Sequence, residues 1–325
     1  KLIGADASEL IFTSGATEAV NLALRGVYES YHLKGKHIIT WQSEHKAVLD
    51  TCAYLQKQGA RLSYLSVDAN GLPDLSVLEK SIQTDTIVIA AMYANNETGV
   101  VFPVKEIAAI AKKSGVLFFS DATQAVGKIP VDVLTDGIDL LALSAHKFYG
   151  PKGVGALYVR RKNPRVKLSP ILYGGGHEKG LRSGTLNVPG IVGLGKASEL
   201  CLLEMQNDCL RIEQLRNQLL NGLLELGCTS LNGGKNFLLP HVANVSFDFN
   251  GAAQLIGRLS KHIAVSSGSA CTSASTEPSH VLKAMGLKDE LAISSIRFSL
   301  GRFTTEEEIT LALQRIEEIV KAMKS

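Results

Sequence analysis

Residues 140–159 read LLALSAHKFYGPKGVGALYV. An apolar run ends in Ser144-Ala145-His146-Lys147, a Gly/Pro turn follows, and a second apolar run starts at Val154. That pattern sets Lys147 at the mouth of a buried strand, where an ammonium is poorly solvated. Desolvation disfavours the charged amine, and a neutral amine can attack an aldehyde. Lys147 therefore has two readings: a surface lysine in a loop, or the amine that forms a Schiff base with pyridoxal phosphate. Residues outside this stretch decide between them.

Toward the N-terminus the chain alternates. Strands are predicted at Leu10–Phe12, Lys36–Trp41, Arg61–Val67, Thr86–Tyr93 and Val116–Ser120. Helices are predicted from Thr17 to about Tyr31 and over His45–Gln58, Asp74–Ile82 and Val104–Ser114. Alternating strands and helices make a mainly parallel sheet covered on both faces, with ligands beyond the carboxyl ends of the strands. His45, Asn96, Asp121 and Lys147 all fall at or just past such ends. Toward the C-terminus a glycine-rich loop opens at Gly174 and closes near Pro189. A long helical stretch then runs from about Ile191 to Leu226, with room for one break. Its Leu215, Leu219, Leu223 and Leu226 form a core face. Beyond it come strands at His241–Phe249, Ile263–Ser266 and Ser295–Leu300, short helices at Gly251–Ser260 and Ser279–Met285, and a closing helix at Thr305–Met323. The expectation is an α/β protein with a large domain over residues 1–200 and a smaller α+β domain over residues 201–325.

Composition bounds the function. The chain has 325 residues, 45% hydrophobic and 20% charged, which suits a sizeable globular core. Its net charge of +3 is scattered, so no nucleic-acid surface is indicated, and no apolar run is long enough to span a membrane. Five cysteines without a CxxC pair point to neither a disulfide framework nor a zinc site, and a reducing cytoplasm is expected. No GxGxxG follows the first strand, which argues against a dinucleotide site.

Pyridoxal phosphate also needs an acid opposite its ring nitrogen, a phosphate cradle and a group against its ring. Asp121, ending an apolar strand, can be the acid or a cap on the next turn. Gln124 and Asn96 can donate to the phenolate oxygen, and His45 can stack on the ring or cap a helix. Thr13-Ser14-Gly15-Ala16-Thr17 is a glycine turn opening a helix, suited to a phosphate; Ser144 and His146 can join Thr17 there. Cys271 sits in SSGSACTSAS, a run of small polar residues in which a thiol is exposed and reactive. Cys52, Cys201, Cys209 and Cys228 lie in or beside helical stretches and read as structural.

Taken together, FTSGATEAVNLAL, EHKAVLDT, NNETGVV, DATQAVGK, SAHKFYGPKGVGALYVR, GGGHEKGLRSGTLN, SSGSACTSAS and SIRFSLGRFTTEEEI resemble the motifs of the IscS/NifS-type cysteine desulfurases, class V members of the fold-type I pyridoxal phosphate enzymes. The match runs in order from the first residues to the last helix, and the SSGSACTSAS loop points to the housekeeping IscS branch. The resemblance implies that Lys147 carries the cofactor and Asp121 pairs with its pyridinium. Gln124 and Asn96 would flank the phenolate oxygen, His45 the ring, and Ala16, Thr17, Ser144 and His146 the phosphate. Thr185 would reach the phosphate of a second subunit, making a homodimer. Arg297, with Asn96, would bind the substrate carboxylate. Cys271 would be the nucleophile that takes sulfur from L-cysteine as a persulfide, leaving alanine. No resident metal is implied, although Cys271 is a candidate transient ligand of an iron–sulfur cluster. The implied acceptors are an iron–sulfur scaffold protein and the tRNA-thiolation pathway, without direct nucleic-acid binding.

Two departures are visible. Lys179 stands where the family often has Arg, and the YLDNAATTP-like segment that usually precedes the region matching Lys1 is not in this sequence. The second departure motivates an alternative, a pyridoxal phosphate-binding but inactive interaction protein. A selenocysteine lyase or another class V enzyme is a further alternative.

Overall fold

A computed structural model describes residues 1–267 and 277–324. Cys271 lies outside them. The chain divides into two compact units. The first comprises residues 1–66, 73–94 and 102–205, and the second residues 67–72, 95–101 and 206–325. Two short N-terminal segments thus belong with the C-terminal unit, a topological feature that composition does not signal.

The first unit is built on a seven-stranded sheet of order β1-β7-β6-β5-β4-β2-β3. Its strands are β1 Leu10–Thr13, β2 His37–Trp41, β3 Arg61–Leu65, β4 Thr86–Met92, β5 Leu117–Asp121, β6 Leu140–Ser144 and β7 Gly155–Val159. Pairs β2–β3, β2–β4, β4–β5 and β5–β6 are parallel, while β7 is antiparallel to both β6 and β1. Every residue of β2, β4, β5, β6 and β7 is buried. Such continuous apolar strands are what a sheet covered on both faces requires. Helices α1 Ala16–Tyr31, α2 Lys46–Lys57, α3 Leu75–Ser81 and α4 Val104–Lys113 supply the cover. Val20, Leu24 and Val27 of α1 and Val48, Cys52 and Leu55 of α2 pack with Ile38, Val88 and Phe119 in one core. Each large apolar side chain buried there contributes about 1.5–3 kcal/mol.

The second apolar run forms β7, which turns back antiparallel to β6 across the Gly/Pro turn after Lys147. Gly150 N–H and Phe148 N–H both reach the Ala145 carbonyl, at 2.9 and 3.0 Å. A Cβ at Gly150 would lie 2.8 Å from that of Ala145, so only glycine fits the turn.

Helix α5, Val188–Leu224, is continuous; no break occurs. Asn187 accepts the Gly190 N–H at 3.2 Å near its start, and Pro189 fits the first turn because it has no N–H to satisfy. The compact-unit boundary falls within this helix, between Met205 and Gln206. Leu215, Leu219 and Leu223 are buried, as the leucine spacing predicts.

The second unit holds a four-stranded antiparallel sheet of order β10-β11-β9-β8. The strands are β8 Thr229–Leu231, β9 Val242–Phe247, β10 Ser266–Ser267 and β11 Ser295–Ser299. β8 carries too short an apolar run to be seen in sequence. The strand expected at Ile263–Ser266 pairs only over Ser266 and Ser267, opposite Arg297 and Ile296. The closing helix Glu306–Lys324 packs Ile309, Ile316 and Val320 into a core with Val245, Phe247, Ile296 and Phe298.

Candidate active site

The topology brings eight of the expected residues to one rim of the seven-stranded sheet. β1, β2, β4, β5 and β6 all point their carboxyl ends the same way. Ala16 and Thr17 follow β1, His45 follows β2, Asp121 ends β5, and Ser144, His146 and Lys147 end or follow β6. Asp121 is in register with Ala142 on the neighbouring parallel strand, two residues before Ser144. The acid and the lysine turn are therefore adjacent. Gln124 lies in the turn that follows Asp121.

Asp121 is buried, and its Oδ1 accepts the Thr123 N–H at 3.0 Å. It is thus a local cap held at the strand end. His45 takes the capping reading. It is the N-cap of α2, its Nδ1 accepting the Ala47 N–H at 3.1 Å. That bond fixes the tautomer of the neutral ring, with the proton on Nε2.

Lys147 ends a short 3-10 turn, Ala145–Lys147, and is exposed within this chain. The expectation of a lysine desolvated by the strand mouth is corrected: β6 ends at Ser144, and Lys147, in the turn beyond it, is exposed. Beside it, Ser144 Oγ and His146 Nδ1 are 2.9 Å apart. Desolvation, followed by the positive charges of Lys147 and Lys152, holds the His146 imidazole below the usual histidine range.

The turn before α1 is closely packed. Gly15 caps the helix without a side chain, so the first-turn N–H groups face the rim uncovered. A Cβ on Gly15 would lie 3.5 Å from Ser144 Oγ, and one on Gly155 would lie 2.7 Å from Gly15 Cα. A glycine on β7 is what lets the α1 turn approach β6. The result is a small cradle with a helix N-terminus and the Ser144 hydroxyl on its walls, and these groups fit a phosphate. With a buried carboxylate and a primary amine on adjoining strand ends, the donor set fits pyridoxal phosphate. Thr17 and His45 also line an open groove of about 400 Å³ with Asn21, Arg25, Asp50 and Tyr54.

Two acids on this rim were missed in the sequence. Glu44 is buried beside the strand ends, and its Oε1 accepts the Met92 N–H at 2.5 Å. Burial, reinforced by the nearby Asp121 charge, pushes its carboxyl well above the ordinary range. Its position directly before His45 was the available signal. Burial, then Glu44, also pushes the Cys52 thiol up to about 12, which makes Cys52 inert. Cys201 and Cys228 are buried too, whereas Cys209 is only half-buried. Glu18 is the second acid. It accepts the Ser14 N–H at 2.7 Å and Arg182 Nε at 2.7 Å, anchoring the glycine-rich loop to α1. Burial raises its pKa, but the bonds from Arg182 and Ser14 outweigh this and hold it low. Glu178 adds a second anchor by accepting the Phe12 N–H at 2.9 Å, and Lys179 donates to the Ser8 carbonyl. Thr185, farther along that loop, is exposed.

Asn96 and Arg297 belong to the second unit, and there they meet: Arg297 Nη1 donates to the Asn96 carbonyl at 2.7 Å.

A family model for the class-V aminotransferases matches residues 1–311. The chain belongs to that family and, within it, to the IscS/NifS-type group. It is 52% identical over 323 residues to the cysteine desulfurase IscS of Proteus mirabilis, covering 99% of this chain and 80% of that protein. Among solved structures it is similar to a NifS-like protein, with TM-score 0.91 and 40% identity over 99% of this chain and 85% of the other. It is also similar to SspA in complex with cysteine, with TM-score 0.80 and 36% identity over 94% of this chain and 84% of the other.

Proposed function

We infer that this chain is a cysteine desulfurase, taking sulfur from L-cysteine, releasing L-alanine and passing the sulfur on for iron–sulfur cluster assembly and tRNA thiolation. The observation that carries the reading is the placement of buried Asp121 and the Ser144–Lys147 turn on neighbouring strand ends, in a chain related to cysteine desulfurases over its whole length.

Pyridoxal phosphate, when bound, supplies an electron sink that lets the substrate Cα proton leave. Lys147 would hold it through its aldehyde carbon, and the Asp121 carboxylate would keep the proton on its ring nitrogen. The first-turn N–H groups at Ala16 and Thr17, with Ser144 and His146, take the phosphate. Gln124 and Asn96 would hold the phenolate oxygen, and His45, whose Nε2 carries its proton, would serve the ring. The Lys147 amine would be the group that accepts the substrate Cα proton and returns it. Arg297 offers a planar fork to the substrate carboxylate, with Asn96 beside it. Cys271 attacks the substrate sulfur as the carbon–sulfur bond breaks, so the persulfide forms on Cys271. Thr185 serves the phosphate site of a second copy, so the working unit is a homodimer. Five cysteines without a CxxC pair suit a reducing compartment, and the cytoplasm is the proposed location. Among the described residues no helix is long and apolar enough to cross a membrane.

The test is a visible absorption spectrum of the purified chain, followed by L-cysteine addition and an alanine assay. The expected result is a cofactor band that changes and alanine that accumulates. Cys271→Ser should keep the spectral change while turnover falls about 10³-fold or more. Unchanged turnover in Cys271→Ser would remove the persulfide route. A band without alanine would favour the binding-only interaction protein.

A further inference from the structure

The second unit contains a buried polar cluster to which the reaction above gives no task. Asn232 Nδ2 lies 2.8 Å from Asn244 Oδ1, 2.8 Å from Ser246 Oγ and 3.0 Å from Ser295 Oγ. Ser246 Oγ returns a bond to Asn232 Oδ1 at 3.0 Å and lies 2.8 Å from Ser295 Oγ. All four residues are buried, Asn244 and Ser246 completely. Groups of this kind are retained in a core only when each finds a partner.

One donor leaves the cluster. Asn244 Nδ2 donates to the Glu97 carbonyl at 3.1 Å. Glu97 follows Asn96, whose own carbonyl accepts Arg297 Nη1. The turn is stiffened from within, because Asn95 Oδ1 accepts the Glu97 and Thr98 N–H groups at 2.8 and 2.9 Å. Arg297 and Asn244 are register partners across β11 and β9, so both side chains stand on one face of the sheet. The path is closed: strand β9 holds the Glu97 carbonyl, that turn presents the Asn96 carbonyl, and the Asn96 carbonyl orients the guanidinium rising from the neighbouring strand.

We propose that Asn244 is a positioning residue for recognition of the substrate carboxylate, acting through the Asn95–Val101 turn on Arg297. The proposal rests on the assignment of Arg297 and Asn96 to that carboxylate. An arginine has many rotamers, and a bidentate contact needs one orientation of its fork. A carbonyl anchored on a buried amide supplies that orientation before substrate arrives, so less freedom is lost on binding.

The experiment uses the full chain with cofactor bound. It measures KM and kcat for L-cysteine, the inhibition constant of L-alanine, which carries the same carboxylate, and the melting temperature. Asn244→Ser should raise KM and the alanine constant about tenfold, with kcat within about twofold, the signature of lost ground-state binding. In an Arg297→Lys background the same substitution should add little, since the two act as one unit. Val245→Ala, on the opposite face of β9, should lower the melting temperature without moving KM. Asn244→Leu, which fills similar volume without a donor, carries the same expectation should the serine variant not fold. If Arg297→Lys raises KM and Asn244→Ser does not, the positioning role is wrong while the carboxylate reading stands. If Arg297→Lys leaves KM unchanged, both fall. An equal rise in Val245→Ala would reduce Asn244 to a structural residue.

Discussion

The two sheets use opposite ways of holding a functional side chain. In the seven-stranded sheet, β5 and β6 are buried along their whole length, and polar residues with a task sit at or beyond their last positions, as Asp121 and Ser144–Lys147 do. In the four-stranded sheet, Arg297 stands in mid-strand between buried Ile296 and Phe298. A parallel sheet covered by helices has no polar face, so its chemistry is confined to the ends. An antiparallel sheet alternates its side chains, so one face can be polar throughout: Ser295 and Arg297 on β11 join Asn244 and Ser246 on β9. Strand-end groups are therefore supported by local turns and mid-strand groups by a buried network. Changing the first kind should cost activity alone, and changing the second should cost stability as well.

Lys147→Ala gives the largest expected effect and tests the first half of that contrast. Alanine release should fall about 10³-fold or more, because the proposed reaction has the same amine bind the cofactor and move the proton. The melting temperature of the cofactor-free protein should not change, since Lys147 is exposed. A large drop in that temperature would break the comparison. Asn232→Leu tests the second half. It removes the amide facing three acceptors and should destabilise the fold by roughly 2–4 kcal/mol, read by denaturant unfolding. A loss below about 0.5 kcal/mol would mean that the network is not a support.

Arg182→Met should give the smallest effect and sharpens the point about local anchors. The Glu18 carboxyl, held low by Arg182 and Ser14 against its burial, is ionised in the folded chain. A depressed folded pKa contributes stability that is full above the unfolded value, near 4.5, and is lost as pH falls through the folded value. The variant should lose about 1–2 kcal/mol at pH 7, with the difference from the parent shrinking below pH 4. A difference that grows as pH falls would show that Glu18 is not the partner that matters.

Much of this was legible from residue order. The alternation of apolar runs and amphipathic segments predicts β2, β4, β5 and α1 to within a residue or two, and the strand-end rule brings Asp121 and Lys147 to one rim. The misses have physical causes. β8 is three residues long and β10 two, too short for a period to register. Lys147 was expected to be desolvated by a strand mouth, but it falls in a 3-10 turn past the strand end and is exposed. Glu44 has no signal in residue order beyond its place before His45, because sequence does not report that its buried carboxyl accepts the Met92 amide.

The sequence by itself determined the family, the α/β pattern and the identity of the chemical groups, since these follow from residue type, spacing and long motifs. Only the tertiary structure decided how those groups are held. It assigned residues 95–101 to the second unit, set Arg297 on the Asn96 carbonyl and tied that turn to Asn244. Those contacts join positions separated by more than a hundred residues. They depend on strand register and on where buried polar atoms find partners, which are settled when the chain closes on itself.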